Sequence, residues 1–146
     1  MVSTRFAVAI HILLLLAAAR RGCAVLRPLT SQAIASSVNT NPVVVRRITG
    51  QLARAGLVRV RRGPGGAELT RGAELITLAD VWAAVTPRAG SLLPVHAGPN
   101  QACHIGREVH AVLGRSFASA ERAMLDALAG TTLAGLLTTL PEEIAA

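Results

Sequence analysis

Three arginines lie beside three glycines in the segment RVRRGPGGAEL, residues 59 to 69. Glycine lets backbone N–H groups approach a phosphate closely, and arginine neutralises its charge. A nucleotide-binding Walker loop needs a lysine after its last glycine, and the chain contains none. A dinucleotide-binding G-x-G-x-x-G pattern starting at Gly63 would need glycine where Glu68 stands. The phosphate that this segment suits is therefore that of a nucleic-acid backbone.

The elements around this segment predict how it is held. LVRVR alternates apolar and basic residues as a strand does, RGPGG is turn sequence, and AELT forms the returning strand. In this hairpin, Gly63, Gly65 and Gly66 would supply the positive φ of the tip. Thr30 or Ser31 can cap a short helix ahead of the turn sequence VNTNP. Helix, turn, helix and hairpin follow in the order of a winged helix-turn-helix.

A helix is predicted over residues 42–55, with Pro42 at its first position and Gly56 just beyond its end. Its apolar stripe is predicted to contain Val44, Ile48, Leu52 and Ala55. The polar residues lie away from that stripe, on the side that could enter the major groove of DNA. The predicted DNA contacts, in chain order, are Ser31, Gln32, Thr40, Asn41, Pro42, Val43, Arg46, Arg47, Gln51, Arg59, Arg61, Arg62, Gly63, Gly65 and Gly66.

The first apolar segment admits two interpretations. Arg5 followed by a long apolar run and an A-x-A site at Ala17 resembles a secretory signal. The run nevertheless contains His11 and is shorter than the roughly 18 to 20 residues that span a bilayer. A core helix capped by Ser3, with His11 as a hydrogen-bonded core histidine, explains the same residues, and we expect this alternative.

The second half of the chain predicts further helices. Thr77 and Asp80 have the spacing of a capping box ahead of LADVWAAV. After a loop over 87–104, helices are expected over 105–113 and 116–128, and Thr132 can begin a last short one. Phe117, Met124 and Leu128 form an apolar stripe suited to a dimer interface, although a helix packed on its own core would look the same.

The overall prediction is a mainly α protein with a small β-hairpin. A winged helix-turn-helix DNA-binding domain occupies residues 1–86, a loop residues 87–104, and a C-terminal helical dimerisation region residues 105–146.

The charge distribution agrees with a nucleic-acid partner for the first part. Residues 1–72 contain eleven arginines and one acidic residue, a net charge of +10, whereas residues 73–146 contain four arginines and seven acidic residues, a net charge of −3. The chain has no tyrosine, two phenylalanines and one tryptophan, too few aromatic residues to stack single-stranded bases. Double-stranded DNA is therefore the expected partner.

Four segments together resemble the Rrf family of bacterial winged helix-turn-helix transcription regulators: STRFAVAIHILLLLA, the run from NTNP to ELTR, ITLADVWAAV and NQACHIG. This family includes the iron-sulfur cluster regulator, the nitric-oxide-sensitive repressor and the cysteine-metabolism repressor. The resemblance implies a homodimer, held by a long C-terminal helix, that binds a pseudo-palindromic operator, and we expect it to act as a repressor. The two cysteines of the chain are too few for a disulfide scaffold, so a reducing cytoplasm is the expected location. It places DNA contacts at Arg46 and its neighbours, and at Arg62 with the wing glycines.

The cysteines depart from the cluster-binding members, which carry three in the loop. Here the loop contains Cys103 alone, with Ser91 and Ala97 near the other two places. An iron–sulfur cluster is therefore not expected, and the chain looks like the cluster-free branch.

Other sites are less well supported by the sequence. Cys103, beside His104 and near Arg107, could be a redox-sensing thiol, although a buried packing cysteine is favoured. Neither a metal site nor an enzyme active site is expected, because the spacing of His96, Cys103, His104 and His110 fits no metal centre and no catalytic set is assembled. A small-molecule or redox effector remains open. The alternative function is a winged-helix module for protein contacts or non-specific DNA coating.

Overall fold

The structure is a computed structural model, and it describes residues 4–22, 29–87 and 91–141. Its elements are α1 (Arg5–Arg20), α2 (Ser31–Val38), α3 (Pro42–Arg54), β1 (Val58–Val60), β2 (Ala67–Leu69), α4 (Leu78–Val85), α5 (His104–Ala129) and α6 (Leu133–Leu137). Short 3-10 helices cover Gly63–Gly65 and Ala73–Leu75. The predicted fold class, mainly helical with a two-stranded hairpin and a long C-terminal helix, is confirmed. The predicted cap Ser3 and the cysteine Cys23 lie outside the described residues.

Helix α1 lies at the centre of the core. Ala9, Ile12, Leu13 and Leu16 are fully or almost fully buried, at spacings of three and four residues. Among the described residues, none of the helices is both long enough and apolar enough to cross a membrane. His11 lies at the edge of this core, half-buried, with its Nε2 3.3 Å from the Ser37 hydroxyl. The apolar run is therefore a core helix, as predicted.

The helix-turn-helix is formed by local hydrogen bonds that the sequence predicts. The Thr30 hydroxyl accepts from the Ala33 N–H at the start of α2. Asn39 then adopts the left-handed conformation at φ 59°, which ends α2 and turns the chain. The Asn41 side chain caps α3 by accepting from the Val43 N–H at 2.8 Å, with Pro42 in the first helical position.

The buried face of α3 differs from the predicted stripe. Val45, Ile48, Thr49 and Leu52 are buried, whereas Val44 is 40% exposed and Ala55 is exposed. Ile48 and Leu52 were predicted correctly. The run Val43–Val44–Val45 is uniformly apolar, so its letters alone do not show which valine faces inward. Packing against the other helices selects Val45.

The hairpin pairs β1 with β2 in antiparallel register, with Val58 opposite Leu69, Arg59 opposite Glu68 and Val60 opposite Ala67. Val58 and Leu69 are buried and attach the hairpin to the core. The remaining residues of β1 are exposed, so the hairpin projects from the helices as a wing.

The C-terminal helices differ from the prediction in one respect. The two helices expected over 105–113 and 116–128 are one continuous helix of 26 residues, α5. Gly114, which lies between them, costs a helix only about 1 kcal/mol relative to alanine and does not break it. The predicted capping box of Thr77 and Asp80 is confirmed, with both of its hydrogen bonds formed.

Helix α6 returns to the core. Its residues Leu133 and Leu137 are buried among the residues of the winged domain. Thr132 caps it as predicted, accepting from the Gly135 N–H. Backbone hydrogen bonds from Leu78 to Thr131 and from Leu133 to Ile76 join the end of α5 to the start of α4.

Candidate nucleic-acid interface

The exposed face of α3 is basic and apolar. Val43 is 60% exposed, and Arg46, Arg47 and Arg54 are exposed on the same helix. Gly50 lies three or four residues from each of these arginines, so it is their neighbour on the helix surface. The space above it is open, since a Cβ built there would have the Arg54 guanidinium, at 3.9 Å, as its nearest neighbour. This face is therefore unobstructed by side chains of the described protein and carries three positive charges.

The first turn of α3 is capped by the Asn41 side chain. The Asn41 side-chain oxygen accepts a hydrogen bond from the Val43 N–H. Its amide NH₂ group is therefore the part of the side chain that can still donate to a ligand. Thr40 is half-buried, and its N–H donates to the Ala35 carbonyl. The predicted contacts Asn41 and Thr40 thus fix the turn before α3, in addition to any contact that they make with a ligand.

A cleft of about 400 Å³ joins the helix-turn-helix to the wing. Ser31 and Gln32, at the N-terminus of α2, line one side, and Arg46 from α3 and Arg61 from the wing line the others. The N-terminus of α2 and the Arg46 guanidinium favour an anion, whereas the Arg61 guanidinium is paired with Glu68. The structure therefore brings together six of the predicted contact residues around one cleft: Ser31, Gln32, Arg46, Arg61, Gly63 and Gly66.

Two polar side chains of α3 have buried oxygen atoms without a hydrogen-bond partner in the described structure. These atoms are the Thr49 hydroxyl and the Gln51 Oε1. Thr49, which the sequence analysis did not single out, lines the same cleft. Gln51 is half-buried, on the flank of α3 rather than at the centre of its exposed face, so its predicted DNA contact stays a prediction.

The wing arginines are not equivalent. Glu68 pairs with both Arg59, whose Nε lies 3.0 Å from Oε1, and Arg61, whose Nη2 lies 2.9 Å from Oε2. Hydrogen bonds from Arg59 and then Arg61 hold the pKa of the Glu68 carboxyl below its usual value, so it is ionised at neutral pH. Arg62 is exposed and makes no ion pair with any described residue.

This pairing was not predicted from the sequence. The structure places Arg59 opposite Glu68 across the hairpin, and the pairing of opposite charges across two strands is the signal that could have revealed it. Among the described residues, Arg62 is therefore the wing arginine without an ion pair.

The wing glycines act in two ways. Gly63 and Gly66 have φ of 76° and 68°, as predicted for the tip. Gly65 does not adopt positive φ, so that part of the prediction was wrong; instead its Cβ would come within 2.7 Å of the Arg61 side chain. At Gly66 a Cβ would lie 2.5 Å from the Leu29 carbonyl oxygen, so glycine also lets the wing approach the segment before α2.

Helix α5 presents a separate apolar surface. Within the described part of the chain it has no fully buried residue, and Ile105 and Val112 are 77% and 50% exposed. With Val109 and Leu113 they line an apolar groove. Of the predicted dimer stripe, Phe117 and Met124 are half-buried, and Leu128 packs against the core of its own protomer.

The loop before α5 folds back along that helix. Glu121 accepts hydrogen bonds from the Ser91 hydroxyl and the Leu93 N–H, and these lower the pKa of its carboxyl. His110 Nε2 lies 2.7 Å from the His96 carbonyl oxygen.

Cys103 is a free thiol at the N-cap of α5. It is exposed, so the packing role favoured for it in the sequence analysis was wrong.

Comparison with known proteins decides the family. The family described as "Rrf2: Iron-dependent Transcriptional regulator" matches residues 2–139 of the chain. This protein belongs to the Rrf2 family. It is a transcription regulator with a helix-turn-helix rather than an enzyme, as predicted.

Individual relatives agree with this family assignment. The chain is 39% identical over 133 residues to YwnA of Bacillus subtilis (strain 168), assigned as an HTH-type transcriptional regulator, covering 91% of this chain and 94% of YwnA. A crystal structure assigned to a DNA-binding protein is 34% identical, with a TM-score of 0.72 over 91% of this chain and 98% of that chain. CymR, the global cysteine regulator of B. subtilis, shares the fold at 22% identity, with a TM-score of 0.65 over 97% and 98% of the two chains.

The family description raises the question of iron. In the described ranges, no three His, Cys, Asp or Glu side chains lie close enough together to hold a metal ion. The loop offers one thiol, Cys103, where cluster ligation needs several soft ligands. The described residues thus do not fit an iron–sulfur cluster, and membership of a cluster-free branch stays a prediction.

Proposed function

We propose that this Rrf2 protein is a homodimeric, sequence-specific DNA-binding repressor that acts in the bacterial cytoplasm. Helix α3 enters the major groove, and the wing, residues 59–70, lies alongside it. The observation that carries the proposal is the basic cleft, because it joins the N-terminus of α2, the exposed face of α3 and the wing on one surface. A DNA backbone supplies the anions that such a surface needs.

The proposal gives the basic residues different tasks. Arg46 and Arg47, in the first turns of α3, pair with base edges, for which arginine and guanine are the commonest partners. Ser31 and Gln32 bind a phosphate through the N-terminus of α2. Arg62, at the wing tip, contacts the backbone or lies in the minor groove.

A second copy of the chain is proposed to cover α5. A helix of 26 residues is about 39 Å long. In its N-terminal half, the exposed Ile105 and Val112 and the half-buried Val109 line one groove. Exposed apolar residues grouped in this way are typical of interfaces. Pairing through α5 would place two winged domains on a two-fold symmetric operator.

Selection of binding sites tests the sequence-specific part of the proposal. The purified protein is incubated with a pool of random duplexes, and bound DNA is recovered and sequenced over successive rounds. The proposal predicts enrichment of one motif with two half-sites related by two-fold symmetry. Recovery of unrelated sequences would instead support the alternative, a non-specific coat of DNA.

A further inference from the structure

We propose that Val43, assisted by Val44, recognises thymine through its C5-methyl group, so that the operator carries a required thymine beneath the first turn of α3. This inference rests on the proposed function and deepens it, because it names a chemical group of the DNA that the protein reads. Its basis is a pair of exposed apolar side chains, Val43 and Val44, beside the arginines of α3.

Their exposure is the first observation. Val43 is 60% exposed and Val44 is 40% exposed, whereas Val45 of the same run is fully buried. The core therefore uses one valine of the three, and packing in the described protomer does not account for the other two. Apolar surface in water carries a free-energy cost that is recovered when a partner covers it.

Their surroundings point to DNA as that partner. Arg46 and Arg47 lie three and four residues after Val43, so their side chains are its neighbours on the helix surface. Arg46 and Arg47 make no ion pair with any described residue, so a neutral protein surface that covered the valines would remove these charges from water without pairing them. A DNA groove offers phosphates to the arginines and base edges to the valines.

Only one base presents an apolar group in the major groove. Thymine carries a C5-methyl group there, whereas the other bases present hydrogen-bond donors and acceptors. Valine has no side-chain hydrogen-bonding atom, so among base edges it can favour only this methyl group. Asn41 caps the helix at the Val43 N–H, so the backbone of Val43 is already part of the helix in the structure without DNA.

Replacing thymine by deoxyuridine isolates this contact, since it removes the methyl group and leaves base pairing intact. Each thymine of a selected duplex is replaced in turn, and affinity is measured by fluorescence anisotropy for wild type, Val43→Ala and Leu75→Ala. Leu75 is the control, because it is similarly exposed, at 61%, in the 3-10 helix that packs against α6.

We expect at least one deoxyuridine position in each half-site to weaken wild-type binding about fourfold, the value of one buried methyl-sized group. Val43→Ala should bind the parent duplex more weakly than wild type, and deoxyuridine at that position should not weaken its binding further. Leu75→Ala should bind the parent duplex like wild type and should still bind the deoxyuridine duplex about fourfold more weakly. Equal binding of wild type to the parent and all substituted duplexes would overturn the inference and leave the proposed function standing. Failure to select any duplex would instead contradict the proposed function itself.

Discussion

At the scale of single residues, the arginines of α3 and of the wing are expected to behave differently. Arg46→Ala should lose preference at one base-pair position, by about 1–3 kcal/mol, because it removes a contact with a base edge. Arg62→Ala should weaken binding to all duplexes alike and reduce the salt dependence by about one phosphate contact. Anisotropy titrations against single-base variants of the operator, at several salt concentrations, measure both effects.

Arg115→Ala is the matched control for these two variants, because Arg115 is an exposed arginine on α5. It should leave base preference and salt dependence unchanged. A uniform loss of affinity for Arg46→Ala, with no change in base preference, would show that Arg46 contacts the backbone.

Glu68 is expected to restrain DNA binding by the wing. It neutralises part of the charge of Arg59 and Arg61, and it places a carboxylate near the DNA. Glu68→Gln removes that charge and releases both guanidinium groups toward phosphates. Affinity for any duplex should rise, and the slope of log K against log salt should steepen by about 1–2.

Glu74→Gln removes an exposed carboxylate outside the wing and is the control for this substitution. If Glu68→Gln bound DNA more weakly than wild type, Glu68 would be holding the arginines in their binding positions rather than competing with the DNA.

The structural role of a residue could be predicted from the sequence where that role depends on its neighbours along the chain. Thr30, Thr77 and Thr132 cap helices as their positions indicate, because a cap depends on neighbours in sequence. The choice of Val45 over Val44 depends on the angle at which α3 packs, which no local rule supplies. The burial of Cys103 was predicted wrongly for a similar reason, since the loop lies along α5 instead of closing over the core.

At the scale of the elements, α5 exposes apolar side chains that no other described part of the protomer covers. We predict that Val112→Asp, in the middle of the apolar groove, places charge in the dimer interface and shifts the protein from dimer toward the 15.1 kDa monomer. Analytical ultracentrifugation measures this shift, and binding to a two-half-site duplex should weaken with it.

Ala118→Asp provides the control, because Ala118 is exposed on a different face of the same helix. Circular dichroism checks that both variants keep their helices. A Val112→Asp protein that stays dimeric would assign the interface to another surface, such as the Phe117 and Met124 side of α5.

The elements themselves were largely predictable. The hairpin and α3 follow from alternation, turn residues and caps between residues 39 and 70. The division of α5 into two helices was an error, since Gly114 lowers helix propensity without ending the helix. A single glycine costs a helix only about 1 kcal/mol relative to alanine, so its presence is weak evidence for a helix boundary.

At the scale of the whole molecule, the two candidate surfaces lie in different parts of the chain. The basic residues of the cleft and the wing lie within the first 72 residues, and the apolar groove lies on α5. Backbone hydrogen bonds between Ile76, Leu78 and the segment Thr131–Leu133 connect these regions. One core therefore supports a candidate DNA surface and a candidate dimer surface. This arrangement was predicted from the four segments that together resemble the family, and no single motif predicts it.

The most direct test of the central claim is the ratio of affinities for a selected duplex and a scrambled duplex of the same composition, measured by fluorescence anisotropy at physiological salt. A dimeric, sequence-specific regulator should prefer the selected duplex by at least about 10³-fold and bind it as one dimer per duplex. Equal affinity for the two duplexes would contradict sequence-specific recognition by α3 and leave only a basic surface that attracts any DNA.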